Sequence, residues 1–257
     1  MAWRECEGTI VVPFHHIAQD GSLKPTAEGT YLQAGDEWID LPHRGGLGTQ
    51  AYVERHGVRT LGVWCASRQG PGQARMHEEH PLRVRRGLGW FRWRDGSRRH
   101  GGWEIHELHD GDGRLLMRWE HKWLFFRQAP DGSLSFLDQG APGIDEEQDL
   151  ELEALDDRPA LGGPGQAVDF TWTLRETDQN QHVFYRSYLE RTENVLADAG
   201  VDVSAFPARA TWYAAPALLG DPMTGLVEQR DGDVLVALTR SRDGAACTLA
   251  RFWREGP

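Results

Sequence analysis

Asp178, Asn180 and His182 stand at alternate positions in Thr177-Asp178-Gln179-Asn180-Gln181-His182-Val183, directly ahead of the stretch Phe184–Leu196. A carboxylate, an amide and an imidazole this close together can do acid–base chemistry. Either Asp178 or His182 can take a proton from water, and Asn180 can orient the water or a carbonyl. The stretch that follows is apolar at Val183, Phe184, Tyr188, Leu189, Val195 and Leu196, close to the three-and-four spacing of a helix with one face on a core. N–H groups at the start of such a helix stabilise a developing oxyanion without reorganising. A plainer reading competes, because Asp and Asn are also the residue types that cap a helix.

The elements around this motif recur in the same order in both halves of the chain. In the first half, Gly8–Phe14 reads as a strand, Pro25 opens a helix to about Leu41, and Pro42–Gly57 is a Gly-rich loop with room for a short helical piece. Strands follow at Thr60–Ser67, Leu82–Trp93, Gly102–His109 and Arg114–Phe126. The last two flank Asp110-Gly111-Asp112-Gly113, the clearest hairpin turn in the chain, and Pro130-Asp131-Gly132-Ser133 forms a second turn. Trp119, Trp123, Phe125 and Phe126 give the return strand a heavy aromatic burden. In the second half, Ala167–Leu174 precedes the motif helix, and Ala210–Tyr213, Gly225–Glu228, Val234–Leu238 and Ala246–Trp253 read as strands joined by Asp-Gly turns. Tyr31–Ile39 and Tyr188–Leu196 share a faint Tyr-Leu pattern. Between the halves, the acidic run from Asp145 to Asp157 and the breakers Pro159 and Gly162–Gly165 read as a solvated linker. The expected organisation is residues 1–143, a linker 144–165, and residues 166–257. One strand, one long helix and several antiparallel strands make a hotdog unit, so the expected fold class is α+β, a double hotdog with each helix wrapped by a curved antiparallel sheet.

The order Asp178-x-Asn180-x-His182-Val183, followed by Tyr188-Leu189 and a glutamate, resembles the acyl-carrier-protein thioesterases. In that family this order opens the long helix of the second of two hotdog domains, and the Asp, Asn and His act in catalysis. The resemblance implies hydrolysis of an acyl thioester carried on the phosphopantetheine of an acyl carrier protein, in fatty-acid or polyketide synthesis, with no further cofactor. Asp178 would be the base or orient it, Asn180 would position, and His182 would carry the proton or polarise the carbonyl. Tyr31, Trp38, Trp64 and Tyr185 are candidate substrate contacts, together with His15 and His16 ahead of the first helix. There are departures. Plant members carry Asn-Asn after His-Val, where Phe184-Tyr185 stands here, and a Glu-Cys pair in a later strand, where the nearest counterparts lie around Ala217-Leu218. A cysteine nucleophile from that strand is therefore absent. The departures leave room for an alternative, the bacterial thioesterase-like proteins that add glycine across an enoyl-carrier-protein double bond; a further alternative is a non-catalytic acyl-binding module, in which the polar triplet is only a cap.

Composition narrows the classes. The chain has 257 residues, a formal net charge of −11 and a pI near 5.4, which argues against a general nucleic-acid binder. Eleven tryptophans and nine phenylalanines suit aromatic-rich cores or an apolar tunnel. Cys6, Cys65 and Cys247 form no paired motif, so a disulfide framework or zinc ribbon is not expected and a reducing cytoplasm fits. Neither an export leader nor a membrane-spanning run is read, and both monomer and homodimer stay open. His106 and His109, three apart on a strand, should face opposite sides and not share an ion. Arginines crowd between Arg83 and Arg99. They read as a solvated face or, more sharply, as a dock for an acidic carrier protein through Arg83, Arg85 and Arg86.

Overall fold

The structure is a computed structural model that describes residues 2–11, 17, 23–24, 50–70, 79–93, 100–138, 142, 149–152, 158–163, 165–177 and 182–254. The expected helix from Pro25 to Leu41 with Tyr31 and Trp38, the pair His15-His16, and Asp178 and Asn180 lie outside the described residues. The chain forms two compact units. Residues 1–63 and 69–157 make the first, and residues 64–68 and 158–257 the second.

In the first unit, β1 (Ala2–Val11), β3 (Glu79–Trp93), β4 (His100–Asp110) and β5 (Leu115–Gln128) pair antiparallel in that order, and β6 (Leu134–Phe136) adds to β5. Helix α1 (Gln50–His56) occupies the end of the stretch read as a Gly-rich loop and leads into β2 (Arg59–Gln69). The β4–β5 turn forms as its residues demand. Asp110 Oδ1 accepts from the Asp112 and Arg114 amides at 2.9 and 2.8 Å, and Gly113 takes the left-handed φ of 80° that a side chain would strain. Leu108, Leu116, Met117, Trp119 and Phe125 are buried on this sheet.

One sequence expectation is corrected here. Part of the acidic run is not a free linker: β7 (Asp149–Leu152) pairs in parallel with Trp90–Trp93. Its Asp-Leu-Glu-Leu order has the period-two alternation of a strand, and this local pattern outweighs the acidic composition.

In the second unit, residues 64–68 of β2, β9 (Ala208–Tyr213), β12 (Ala246–Trp253), β11 (Asp233–Arg240), β10 (Pro222–Gln229) and β8 (Gln166–Thr171) pair antiparallel in that order. Helix α2 (Tyr185–Asp198) packs on β10 and β11. Its buried face is Ser187, Tyr188, Leu189, Thr192, Val195 and Leu196, while Glu190, Asn194, Ala197 and Asp198 are exposed. The sheet is therefore not strongly curled around the helix as expected. A helix with one apolar stripe needs only one sheet face, and its polar side remains in water. At the crossing Gly225 permits close approach, since a Cβ there would lie 2.7 Å from Val195 Cγ1. Val234, Val236, Leu238, Phe252, Trp172 and Met223 complete this core. No helix among the described residues is long and apolar enough to cross a membrane.

Candidate functional site

The chain reaches the motif through a short braced approach. After β8 comes buried Trp172, then a 3-10 turn at Leu174–Glu176 held by a capping box: the Thr173 amide and hydroxyl donate to Glu176 Oε2 at 2.8 and 2.9 Å. Glu176 also pairs with Arg191 of α2, whose guanidinium lies 4.7 Å from the Phe170 ring centre and 5.5 Å from that of Trp172. Burial works to raise the Glu176 pKa. The hydrogen bonds from the Thr173 amide, Arg191 and the Thr173 hydroxyl together outweigh it and hold the carboxyl below its ordinary range.

Thr177 and Val183 then pair antiparallel, and the Phe184 amide donates to Glu176 O at 3.0 Å. Thr177 and Val183, on either side of the motif, are thus fixed. A third anchor comes from the turn before β10: His182 bridges Leu218, and the Val183 amide donates to Ala217 O at 3.0 Å. That turn is itself braced. The Ala217 amide donates to the Tyr188 hydroxyl at 2.8 Å, the Leu218 amide to Asp221 Oδ2 at 2.9 Å, and Arg240 to Pro216 O at 2.8 Å.

The helix starts later than the apolar pattern suggested. Its N-cap is Phe184, without a side-chain cap, and the Phe184 ring is 47% exposed instead of lying in the core. Val183 is buried but recruited to backbone pairing with Thr177 and Ala217, which delays the first helical turn. The N-cap position itself falls to Phe184, six residues after Asp178 and four after Asn180.

Of the other residues singled out in the sequence, His182 is exposed on its bridge and Tyr185 is half-buried as the first residue of α2. The Tyr185 carbonyl accepts from Tyr213 OH at 3.5 Å, and Tyr213 OH lies 3.3 Å from Cys65 Sγ. Trp64 precedes Cys65 and lies opposite Trp212, so strand alternation puts it on the face away from Tyr213 and Tyr185. The structure thus brings His182 and Tyr185 to one end of α2 and does not bring Trp64 to them. Cys65 and Cys247 are buried, and burial pushes the Cys247 thiol up, away from the thiolate a nucleophile needs.

The arginines belong to the first unit. Arg83 and Arg85 are half-buried and alternate with buried Leu82 and Val84; the Arg86 side chain is outside the described residues. Arg85 Nη1 lies 3.3 Å from Glu107 Oε2, Glu107 Oε1 is 2.9 Å from Arg118, and Arg118 continues to Glu120 at 2.9 Å. Arg85 is therefore part of an ionic row within the sheet. His106 and His109 take opposite faces, His106 3.0 Å from Glu104 and His109 3.3 Å from Glu107. No group of three His, Cys, Asp or Glu among the described residues could hold a metal ion. A recess of about 440 Å³ opens between α1 and the β5–β6 turn, lined by Val53, Gly57, Arg59 and Gln128 among others, and contains none of the predicted site residues.

Sequence reasoning missed Tyr188 and Asp221 as polar supports of the motif. Tyr188 carries no polar signal in an apolar stripe, and burial, the main influence on its phenol, raises its pKa so that it stays protonated. Asp221, in Gly220-Asp221-Pro222, reads only as a turn residue.

The sequence matches no protein-family model and no curated protein. Its fold does match solved structures. An acyl-ACP thioesterase from Bacteroides thetaiotaomicron superposes with a TM-score of 0.70 at 14% identity, over 98% of both chains. A 12:0-ACP thioesterase from Umbellularia californica gives 0.67 at 12% identity, over 97% of both chains. A MaoC-like dehydratase from Phytophthora capsici gives 0.54 at 13% identity, over 77% of this chain and 72% of that one. At such identities the likeness is one of fold, and the chain is built as a double hotdog.

Proposed function

We propose that the chain is an enzyme of acyl-thioester chemistry that hydrolyses the thioester of an acylated carrier protein and releases a free carboxylic acid. The observation that carries this reading is the placing of the motif. Asp178, Asn180 and His182 precede a helix whose N-cap is Phe184; Thr177 and Val183 on either side of them pair with each other, and His182 pairs with Leu218. The likeness of fold to two thioesterases that act on carrier-protein substrates supports the substrate class.

In this reading the two units are tandem hotdog units, the first including β7, and the second holds the chemistry. Water attacks the thioester carbonyl and gives up its proton to Asp178 or His182, while Asn180 positions the water or the carbonyl. N–H groups at the start of α2 stabilise the oxyanion. Collapse breaks the C–S bond, and the returned proton leaves with the pantetheine thiol. Tyr185, Tyr31, Trp38, His15 and His16 are proposed substrate contacts, and Arg83, Arg85 and Arg86 a proposed dock. The pairing of Arg85 to Glu107 reduces the charge that residue offers a partner.

A second reading, addition to an α,β-unsaturated acyl thioester, is favoured by the likeness to a MaoC-like dehydratase and by a motif that supplies acid and base without a nucleophile. One assay separates them: incubation with saturated and enoyl acyl-carrier proteins, with and without glycine, followed by mass analysis. A free acid supports hydrolysis, and a gain of water or glycine supports addition. Asp178→Asn should fold with an unchanged melting temperature and lose turnover by about 100-fold or more. Substrates left unchanged by the wild-type chain, or full turnover by Asp178→Asn, would overturn the proposal.

A further inference from the structure

In the second unit the turn from Pro216 to Asp221 meets the motif by backbone pairing. His182 bridges Leu218, and the Val183 amide donates to Ala217 O at 3.0 Å. How well His182 is held therefore depends on how well this turn is held. Two consecutive amides of the turn, those of Ala217 and Leu218, donate to side chains: the Tyr188 hydroxyl at 2.8 Å and Asp221 Oδ2 at 2.9 Å. The Asp221 backbone ties the turn back to the strand before the motif, its carbonyl accepting from the Trp172 amide at 3.5 Å; Gly220 N donates to Trp172 O at 3.1 Å. Asp221 is only 6% exposed. Its second oxygen, Oδ1, lies 3.3 Å from Arg242, a half-exposed side chain. A buried carboxylate costs stability unless it is satisfied on both oxygens, and here both partners serve the one turn.

The geometry points to Asp221 as a positioning residue for His182, acting through the Leu218 backbone and backed by the Tyr188 hydroxyl. This rests on the reading of the 178–182 segment as the reactive site and deepens it by naming what holds the His182 backbone, from which the imidazole projects. An active-site group displaced by about an ångström can lose on the order of 100-fold in rate with the substrate still bound, so the effect belongs to kcat and not to KM.

The test uses the full chain with Asp221→Ala, Asp221→Asn, Tyr188→Phe and, as a control, Glu193→Ala. The control breaks the buried Arg209–Glu193 pair elsewhere in the same unit. Turnover and melting temperature are measured with the His182 imidazole resonances, assigned by their loss in His182→Gln. Asp221→Ala should lower kcat by about tenfold or more with KM within about twofold, and should move the His182 resonances. Asp221→Asn keeps an oxygen for the Leu218 amide and should restore most of kcat. Tyr188→Phe should act in the same direction as Asp221→Ala, and it carries the test if that variant does not fold. Glu193→Ala should lower the melting temperature with kcat and the His182 resonances unchanged. Wild-type kcat and unmoved His182 resonances in both Asp221→Ala and Tyr188→Phe would overturn the proposal, as would an equal loss of kcat in Glu193→Ala. The resonances need no turnover, so a chain that hydrolyses nothing would sink the hydrolase reading and still test the contact.

Discussion

The sheet of the first unit and the strands beneath α2 in the second hold their charges differently. In the first, Glu107 is buried between Arg85 and Arg118 with His109 beside it, and Glu104 lies against His106 on the opposite face of the same strand. In the second, Val234, Leu235, Val236, Ala237 and Leu238 are buried in succession along β11. The buried charged groups described there are each paired: Arg209 with Glu193, Asp233 with Arg251, and Asp221 at the turn with the Leu218 amide. An apolar interior is close-packed and deforms little, whereas an ionic row gains small net energies from partners still in contact with water. The motif is anchored on the second unit, beside the apolar run of β11.

Three measurements sharpen or break this contrast. The largest effect is expected from Leu196→Ala, which empties a fully buried site under α2 and should cost about 2–5 kcal/mol in denaturant unfolding. A loss below about 1 kcal/mol would mean that the α2 core is not the main support. Glu107→Ala in the first unit should cost less, about 1–2 kcal/mol, because the side chains of Arg85 and Arg118 are 34% and 31% exposed and water takes over part of what they lose. A cost above that of Leu196→Ala would reverse the comparison.

The smallest effect concerns the approach to the motif. The folded Glu176 carboxyl ionises below its ordinary value of 4.5, so its contribution to stability is present above that pH and is lost as the pH falls through the folded value. The melting temperature of the wild type should exceed that of Glu176→Gln at neutral pH by an amount equivalent to roughly 1 kcal/mol or less, with the gap closing in acid. A gap that does not change with pH would show that the Thr173–Glu176–Arg191 clamp is not ionic in origin.

Much of the fold was legible locally. The Asp-Gly turns at Gly113 and Gly232 and the continuous apolar run at Val234–Leu238 correspond to turns and strands because each depends on a few neighbouring residues. The stripe through Tyr188, Leu189, Val195 and Leu196 is the buried face of α2 for the same reason. At Phe184 and in the acidic run two local signals conflict. Val183 fitted the helical spacing yet is held by Ala217, and Asp149–Leu152 is acidic in composition yet alternates as a strand. For Trp64, an aromatic at a plausible place carries no sign of which sheet face it takes, and a shift of one residue reverses that.

From the amino-acid order alone came the spacing of Asp178, Asn180 and His182 and the helix that follows, because spacing and apolar periodicity are local properties of the chain. The tertiary structure decided where that helix begins, that Arg85 is paired within its own sheet, and that Asp221 and Tyr188 hold the turn against which His182 rests. Those outcomes depend on hydrogen-bond partners distant in sequence, which no local pattern announces, and a buried polar group takes the partner that folding brings to it.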